Sequence, residues 1–463
     1  MKLSFFLLIL SFFSLNAEHN TYTIKMSGFP IGNSDDVWSE YQDVDGKCVL
    51  KLVTSSTMNI KRGNVDFSMS SKTILGVRCK TFEPVFIKTE TDQLGSKLSA
   101  KGFVKEGSFY SQITKNSNVE SNSFKLEKDV TFLTMIFKKY LEDELVKGIK
   151  AKVISEDSLS VKDISVSAVR NSDGTVTATI TYSGIPIKYT IKNDLVISSS
   201  VKNGLITYSL DGYKLAENPP TKRQATVDIM KETSFKNKGL FIKKPRKTEK
   251  VIFSVKGKKI PKIISNCYQS VSTSKGKRTV TIDTRKTPCS QRKPTKEDIS
   301  PNIFEDSTDQ EIIKTAKHIA KGTTSNEQRA FKSVLFVYSH INNKNYKHGN
   351  LSASEALKKR SGDCTEHSTL LAAILKAMKI PVKMVYGLVL DSQGTFFFHN
   401  WNEVYTEKGW ITVDSTFNQM KADASRIVIA YGGNTSASRE DTALAVMRFL
   451  NSVEIFAGGY VYE

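Results

Sequence analysis

The apolar residues of this chain change their spacing near residue 306, and this change constrains the fold more than any other feature. Through residues 20–215 they alternate with polar residues, as in DGTVTATITYSGIPIKYTI at 173–191. Every second residue from Val176 to Tyr182 then lies on one face, which is typical of a half-buried antiparallel sheet. From residue 306 onwards the spacing becomes three and four, which predicts helices. The chain is therefore predicted to be multidomain, with a β-rich N-terminal part.

One helix interrupts the predicted sheet. Residues 128–148, KDVTFLTMIFKKYLEDELVKG, place apolar side chains at helical spacing, with Asp129 as a cap and Gly148 as the stop. We expect this helix to cover an open face of the sheet.

The first residues predict export. Lys2 is followed by LSFFLLILSFFSL and NAEH, an apolar run that is too short to span a membrane. This is the pattern of a signal peptide, residues 1–17, cut after Ala17. An uncleaved anchor would need a longer apolar core, and a lipoprotein would need a cysteine just after the cut. Since no later stretch is apolar for long enough to span a bilayer, we expect a periplasmic or extracellular protein without an integral membrane segment.

Five cysteines divide by their positions along the chain. In an oxidising compartment neighbouring cysteines are the simplest partners, which predicts disulfides Cys48–Cys79 and Cys267–Cys289. Four cysteines also allow two other pairings. Cys364 is then left as a single thiol, which can be buried and inert, paired with another molecule, or reactive.

The positive charge is concentrated in one segment. The formal net charge is +20, and residues 236–296 hold 19 Lys or Arg against only two acids, Glu249 and Asp283. Such a segment can bind an anionic envelope component, such as wall polymers, lipid head groups or acidic proteins. Because lysine is abundant throughout the chain, a solvated lysine-rich face is the simpler interpretation. Export argues against nucleic acid as the partner.

Composition shifts predict the domain limits. Pro219 and Pro220 mark residues 216–230 as a linker that follows a β-rich domain of residues 18–215. Residues 231–296 contain short strand patterns with Lys-Gly turns and are predicted to form a small basic β-module. The helical pattern then places a C-terminal α+β domain at residues 305–463.

Three helices are predicted in the C-terminal domain. Two amphipathic segments span residues 309–322 and 325–343, and a third helix begins after Gly362-Asp363 and ends before Pro381. Cys364 therefore lies in the first turn of a buried helix. The unpaired N–H groups and the positive end of the helix dipole at this position stabilise a thiolate and can also bind an oxyanion.

Three strand patterns follow this helix, at residues 382–390, 395–407 and 409–417, and they predict an antiparallel sheet packed against it. His399 lies within the second strand and Asp414 at the end of the third. A cysteine, a histidine and an aspartate are what thiol catalysis requires: a nucleophile, a base and a group that orients the imidazole. Spacing alone leaves an inert, buried Cys364 as the alternative.

The C-terminal part resembles the transglutaminase-like superfamily, in particular exported bacterial multidomain members of it. The resemblance lies in SGDCTEHSTLLAAILKAMKIPVKMVYGLVL, HNWNEVYTEKGWITVDSTFNQ and, more loosely, KADASRIVIAYGG, which together cover about residues 361–433. It implies a papain-related α+β fold in which a core helix packs on an antiparallel sheet. It also implies that Cys364 is the nucleophile, His399 the general base and Asp414 the orienting carboxylate.

The chain departs from the family pattern at several positions. Asn400 follows His399 where a small residue is usual, and Ser415 follows Asp414 where proline is common. Ser425-Arg426 replaces the Thr-His that is often found after the Asp-Ala pair. None of these changes removes a catalytic group, but the last one leaves open any auxiliary role of that strand.

His367 and a metal ion are the rival interpretations of the cysteine. His367 lies three residues after Cys364 and on the same helical face. We expect it to be structural or supporting, as we do its neighbour Glu366, because a base must reach the thiol from a position shared with the substrate carbonyl. Zinc sites need paired ligand spacing, which one cysteine with dispersed histidines lacks, so we expect neither a metal nor a cofactor.

The expected reaction is amide acyl transfer or hydrolysis through a thioester acyl-enzyme, on a protein or peptide amide substrate. The acceptor decides the outcome: a lysine amine gives a crosslink, whereas water gives proteolysis or deamidation. The alternative is an envelope binding or scaffold protein, whose β domains recognise anionic partners and whose transglutaminase-like domain is inactive.

Overall fold

The computed structural model describes residues 19–212 and 227–463, apart from residues 64, 194, 203, 291, 346, 350 and 451. The predicted signal peptide lies outside the described residues, as does most of the predicted linker at 216–230. Backbone contacts divide the chain into two compact units, and the division falls between Glu232 and Thr233. Among the described residues, no helix is both long and apolar enough to cross a membrane.

The first unit contains one sheet of 15 strands. These strands are β1 (His19–Met26), β2 (Phe29–Gln42), β3 (Cys48–Arg62), β4 (Val65–Arg78), β5 (Pro84–Gln93), β6 (Ser96–Lys105), β7 (Ser108–Lys115), β8 (Asn118–Lys125), β9 (Thr131–Phe132), β10 (Ile149–Ile154), β11 (Val161–Arg170), β12 (Val176–Tyr182), β13 (Ile185–Lys192), β14 (Leu195–Val201) and β15 (Ile206–Leu210). The sheet runs in the order β8 to β1, then β15 to β9, so that β1 pairs with β15. Consecutive strands pair antiparallel from β1 to β8 and from β10 to β15, whereas β9 pairs parallel to β10 and β8 and β9 lie at opposite edges of the sheet. The predicted antiparallel β-rich architecture is confirmed.

The alternating pattern produces the expected half-buried sheet. In β12, Val176, Ala178, Ile180 and Tyr182 are all buried, and the residues between them are partly exposed. The turn to β13 is Ser183-Gly184, with φ values of 46° and 79°. Two consecutive residues with positive φ match the right-handed twist of the flanking strands, which is why a glycine stands at this turn.

The single helix predicted over residues 128–148 is wrong in its extent. The segment contains β9, a 3₁₀ turn, and two short helices, α1 (Ile136–Lys139) and α2 (Glu142–Lys147), separated by an extended Tyr140. Gly148 ends α2 as predicted, but Asp129 has a φ of 67° and precedes β9 instead of capping a helix. The apolar side does cover the sheet, since the ring of Phe137 packs 4.6 Å from that of Tyr189 on β13. A third short helix, α3 (Ile229–Glu232), ends this unit.

Both predicted disulfides are present. Cys48 is bonded to Cys79 at the start of β3 and after β4, and Cys267 is bonded to Cys289 in the second unit. Cys364 is the free cysteine among the described residues. Each disulfide joins residues of the same unit.

The second unit is α+β and contains two sheets. Its strands are β16 (Phe235–Lys236), β17 (Thr248–Lys256), β18 (Gln269–Ser274), β19 (Lys277–Asp283), β20 (Val382–Leu390), β21 (Thr395–Thr406), β22 (Gly409–Val413), β23 (Arg426–Tyr431) and β24 (Glu454–Tyr462). Its helices are α4 (Gln310–Ala320), α5 (Asn326–His340), α6 (Ala353–Lys359), α7 (Cys364–Ala377) and α8 (Ser436–Met447). The first sheet has the order β16-β21-β20-β23, with β22 also on β21, and the second has the order β18-β19-β17-β24.

The predicted helix-on-sheet arrangement is confirmed. Helix α7 is buried along its length, and it lies among α4, α5 and α6 on one side and β20 and β21 on the other. Asp309 and Ser325 cap α4 and α5 with their side chains, close to the starts of the two predicted amphipathic segments. Strands β20, β21 and β22 pair antiparallel, so that a rigid helix faces a rigid sheet.

The basic segment lies in the same unit as helix α7 and strands β20, β21 and β22. Strand β17 pairs with β19 on one side and with β24, near the C terminus, on the other. One hydrophobic core joins Val251 and Phe253 of β17 to Phe396 and Trp401 of β21. The limits of a separate basic module at 231–296 and of a domain at 305–463 therefore stay predictions.

Candidate active site

Cys364 is the first residue of α7, and the preceding residues fix that position. The Asp363 side chain accepts a hydrogen bond from the Thr365 N–H at 2.7 Å, and the Glu366 side chain accepts one from the Asp363 N–H at 3.1 Å. This capping box satisfies N–H groups at the helix start. Gly362 has a φ of +154°, and a Cβ there would lie 2.4 Å from the Cβ of Glu366. The short SGDC sequence thus holds the half-exposed thiol at the positive end of α7.

Strand β21 brings His399 to this helix end. Two side chains beside His399 bond to α7: the Asn400 amide donates to Thr365 Oγ1 at 3.4 Å, and the Asn402 amide donates to the Ser368 carbonyl at 3.2 Å. These bonds fix the position of the strand along the helix. Asn400, the departure from the family pattern, therefore links the strand that carries His399 to the turn that carries Cys364.

His399 and Asp414 form a buried pair. His399 Nε2 lies 2.7 Å from Asp414 Oδ2, and both side chains are almost completely buried. The Cys364 side chain is also near enough to interact electrostatically with this imidazole. Burial alone would lower the pKa of His399, but the charges of Asp414 and Cys364 and the bond to Asp414 raise it to about 9. The structure thus brings together the three residues that the sequence singled out.

Asp414 is oriented by several donors besides His399. Its Oδ1 accepts from the N–H groups of Thr416 and Phe417 at 2.8 and 3.3 Å, because the chain turns tightly after β22. Its Oδ2 accepts a second bond, at 2.6 Å, from Arg426 Nη2. Burial would raise the pKa of this carboxyl, but the charges of His399 and Arg426 hold it well below its usual range.

Arg426 is the residue of the site that sequence reasoning missed. It is fully buried at the start of β23, and it bonds to Asp414, to Gln419 Oε1 at 2.5 Å and to Asp423. Asp423 also accepts from Arg246 Nη1 at 3.0 Å. The signal in the sequence was the replacement of Thr-His by Ser425-Arg426. A guanidinium at this position can join two buried carboxylates in a fixed geometry.

Phe417 is a second residue that the sequence did not single out. Its ring is 43% exposed, and its centroid lies 5.0 Å from that of His399. The Arg246 guanidinium lies 4.9 Å from the same ring. The ring of Trp401 lies 6.1 Å from that of His399, but Trp401 is buried. Phe417 is therefore the aromatic residue that faces both His399 and solvent.

The contacts of His367 argue against a role as the general base. Its Nδ1 lies 2.7 Å from the carbonyl oxygen of Asp363, so this nitrogen donates within the first turn of α7. Burial lowers the pKa of His367 to about 4, which keeps the ring neutral at physiological pH. Glu366 is likewise used in the capping box.

The only group of potential metal ligands found among the described residues lies in the first unit. It consists of Glu40, Cys48 and Cys79. Since the two cysteines form a disulfide, their sulfur atoms are not thiolate ligands.

Comparison with protein families identifies the region that carries this site. Residues 313–415 match the family model of the transglutaminase-like superfamily, so this part of the chain is transglutaminase-like. The match includes Cys364, His399 and Asp414 but not Arg246, Asp423 or Arg426. A search of curated proteins found no match to the chain.

Three solved structures are distantly similar to the chain. A "Putative Cysteine Protease" from Cytophaga hutchinsonii has 15% identity and a TM-score of 0.29, and the match covers 47% of this chain and 86% of that one. A β-barrel-like protein of a domain of unknown function from Brucella abortus has 9% identity and a TM-score of 0.30, covering 42% and 94%. A "Putative Protease" from Parabacteroides distasonis has 10% identity and a TM-score of 0.21, covering 84% and 70%. These scores are too low for an argument about function.

Proposed function

We propose that this protein catalyses cysteine-dependent acyl transfer from, or hydrolysis of, protein or peptide amides. The observation that supports the proposal is the buried, hydrogen-bonded pair of His399 and Asp414 beside Cys364, the first residue of α7. The raised pKa of His399, about 9, favours an imidazolium at neutral pH. In general, a cationic neighbour and a helix N-terminus make a cysteine more nucleophilic, so this arrangement supports nucleophilic catalysis.

In the proposed reaction the Cys364 sulfur attacks the amide carbonyl carbon, and the carbonyl π electrons move to oxygen. Two backbone N–H groups at the start of α7 could donate to this oxyanion, those of Cys364 and Thr365. The Thr365 N–H is already bonded to Asp363, so we assign this role to the Cys364 N–H. His399 gives its proton to the amide nitrogen, the C–N bond breaks, and a thioester remains on Cys364. Asp414 keeps the imidazole in one orientation and stabilises its charge.

The acceptor then approaches the thioester, and His399 takes a proton from it. Attack by either acceptor on the thioester carbonyl breaks the C–S bond and frees Cys364. With water the product is a carboxylate, which corresponds to proteolysis or deamidation. With a lysine amine the product is a new amide, which is a crosslink. We place this activity in the bacterial cell envelope, outside the cytoplasm. The predicted signal peptide supports this location, and two disulfides among the described residues are consistent with an exported protein.

Selective alkylation tests the proposal. The purified protein is treated with iodoacetamide at about pH 6.5, where an ordinary thiol is almost entirely protonated, and the modified residue is mapped by mass spectrometry. We expect rapid labelling of Cys364 in the wild type and slow labelling in His399→Ala. Slow labelling of a folded wild-type protein would favour the alternative of an inactive domain in a binding or scaffold protein.

A second measurement separates the two reactions. The protein and its Cys364→Ser variant are incubated with a glutamine-containing protein and a fluorescent primary amine. Covalent fluorescence that depends on Cys364 indicates transfer, and ammonia or new chain ends without fluorescence indicate hydrolysis. If none of these products depends on Cys364 for any amide substrate tested, the enzyme hypothesis loses its support.

A further inference from the structure

Two large apolar side chains lie next to each other at the surface of the second unit. Leu240 is 53% exposed and Phe241 is 59% exposed, in the loop between β16 and β17. We call this pair the exposed tip. Single exposed apolar residues are common on protein surfaces, whereas contiguous exposed apolar residues with a polar rim are typical of interaction sites.

The backbone of the exposed tip is held in place by hydrogen bonds. The Asn237 side chain accepts from the N–H groups of Gly239 and Ala457 at 3.0 and 2.9 Å, and it donates to the Leu240 carbonyl at 2.8 Å. The Leu240 N–H donates to the Ala457 carbonyl at 2.8 Å. A Cβ on Gly239 would lie 2.2 Å from the Ala457 oxygen, so the loop packs directly on β24. The two apolar side chains are thus presented by a fixed backbone.

The surroundings of the exposed tip are strongly basic. Residues 236–247, KNKGLFIKKPRK, contain six Lys or Arg and no acid. Lys238 pairs with Glu454, and Arg246 pairs with Asp423, so two of these charges are neutralised locally. Lys243, Lys244 and Lys247 are exposed, and no ion pair to a described acid involves them. A partner for this surface must therefore combine negative charge with an apolar layer.

We propose that the exposed tip docks the protein on a membrane surface that contains anionic lipids. Leu240 and Phe241 would enter the boundary between head groups and acyl chains, and Lys243, Lys244 and Lys247 would lie against the lipid phosphates. A bilayer offers negatively charged head groups next to an apolar layer, whereas a wall polymer offers negative charge without an apolar layer. This inference is independent of the proposed reaction, because neither the exposed tip nor these lysines contact Cys364, His399 or Asp414.

Vesicle binding tests the proposal with the full mature chain. Binding is measured by co-sedimentation with vesicles of phosphatidylcholine alone and of phosphatidylcholine with phosphatidylglycerol, at physiological salt. We expect binding to the anionic vesicles only. In Leu240→Ser with Phe241→Ser, the affinity should fall at least about tenfold, because the inserted apolar area is lost.

A charge variant and its matched control locate the contact. Lys243→Ala with Lys244→Ala should weaken binding about fivefold for each lysine removed. Lys258→Ala with Lys259→Ala removes the same charge from the same basic segment, at the other end of β17, about 30 Å away. This control should bind almost as well as the wild type. Equal losses in the two variants would indicate unspecific adsorption of a basic protein and would overturn the proposal.

Insertion is tested directly with Phe241→Trp and brominated lipids. We expect the added fluorescence to be quenched by bromine on the acyl chains and to shift to shorter wavelength. Two results would contradict membrane docking. One is the absence of quenching. The other is that a soluble acidic protein displaces the wild type from the vesicles as completely as the loss of Leu240 and Phe241 does, which would indicate an acidic protein surface as the partner. Leu335→Ser, which removes a 50% exposed leucine on α5, controls for loss of apolar surface elsewhere.

Discussion

At the scale of single residues, two cations share one carboxylate oxygen of Asp414. His399 Nε2 and Arg426 Nη2 lie 2.7 and 2.6 Å from Oδ2. Arg426 keeps the carboxylate ionised, but its charge also offsets part of the attraction between Asp414 and the imidazolium. The charges of Asp414 and Cys364 raise the pKa of His399 to about 9. The positive charge of Arg426 on the same carboxylate should oppose this rise.

Arg426→Gln should alter the pH profile of the proposed reaction as well as its rate. Without the guanidinium, Asp414 attracts the imidazolium more strongly, so the pKa of His399 rises. The alkaline limb of kcat/KM, where the imidazolium loses its proton, should move to higher pH. The Asp414 carboxylate also loses a donor that orients it, so kcat should fall about a hundredfold. Because a buried ion pair is broken, the free energy of unfolding should also fall by about 3–5 kcal/mol.

Arg426→Lys is the control for this prediction. Lysine keeps the positive charge but cannot bond to Asp414 and Asp423 at once, so it should keep the wild-type alkaline limb and lose only part of kcat. The pH dependence of iodoacetamide labelling gives the same limb without a substrate. If both variants lose activity with unchanged pH profiles, Arg426 is structural and does not tune His399.

The pKa of His399 also predicts how stability depends on pH. A pKa that rises from about 6.5 in the unfolded chain to about 9 in the folded protein gives stability that is fully present below pH 6.5. This stability is lost as the pH rises through 9. Urea unfolding between about pH 6 and pH 10 should therefore show a decline that is absent in His399→Gln. An identical decline in the variant would assign the effect to other groups.

At the scale of secondary-structure elements, the start of α7 depends on Gly362. Gly362→Ala places a methyl group 2.4 Å from the Glu366 Cβ and at a φ of +154°. We expect a loss of stability of about 2–4 kcal/mol and slower alkylation of Cys364, because the capping box must shift. Gly322→Ala is the matched control, since Gly322 also has a positive φ but has no atom within 4 Å of its Cβ position. That variant should lose only about 1 kcal/mol and keep the alkylation rate, as measured by urea unfolding and iodoacetamide labelling.

The elements that the sequence predicted are those with local signals. The limits of α4, α5 and β20 follow from caps and periodicity, so the pattern predicted them closely. The segment 128–148 was predicted as one helix because its spacing is helical, but pairing of β9 with β10 overrides that preference at Thr131 and Phe132. Strand β24 was not predicted, because its partner β17 lies about 200 residues earlier in the chain.

The same distinction explains how much of the candidate site was predictable. Cys364, His399 and Asp414 could be named because the family pattern fixes their residue types and order. Arg426 could not be assigned a role from the sequence, because its role depends on hydrogen bonds to Asp414 and Asp423 that form only in the folded structure. Arg246 lies outside the matched region altogether, and its contact with Asp423 joins two segments 177 residues apart.

At the scale of the whole molecule, each unit carries one disulfide, and the two disulfides have different neighbours. Beside Cys267, the Tyr268 hydroxyl donates to Glu403 on β21 at 2.6 Å. Cys289 exchanges two backbone hydrogen bonds with Trp410 on β22, at 2.9 and 2.7 Å. The Cys267–Cys289 disulfide therefore connects two of the contacts that join the basic segment to the strands of His399 and Asp414. Cys48–Cys79 lies wholly within the other unit.

Removing the disulfides one at a time should separate stability from site geometry. Replacing Cys267 and Cys289 by serine opens a link across 22 residues and should lower the stability of the second unit by about 3 kcal/mol. Because two of the contacts between the basic segment and strands β21 and β22 are loosened, Cys364 alkylation at about pH 6.5 should also slow. Replacing Cys48 and Cys79 by serine is the matched control, since that link spans 31 residues and should cost a similar amount. Calorimetry should show the control's loss in the first unit only, with an unchanged alkylation rate. Slower alkylation in the control would mean that the active site depends on the fold of the first unit, contrary to the placement of all its contacts within residues 233–463.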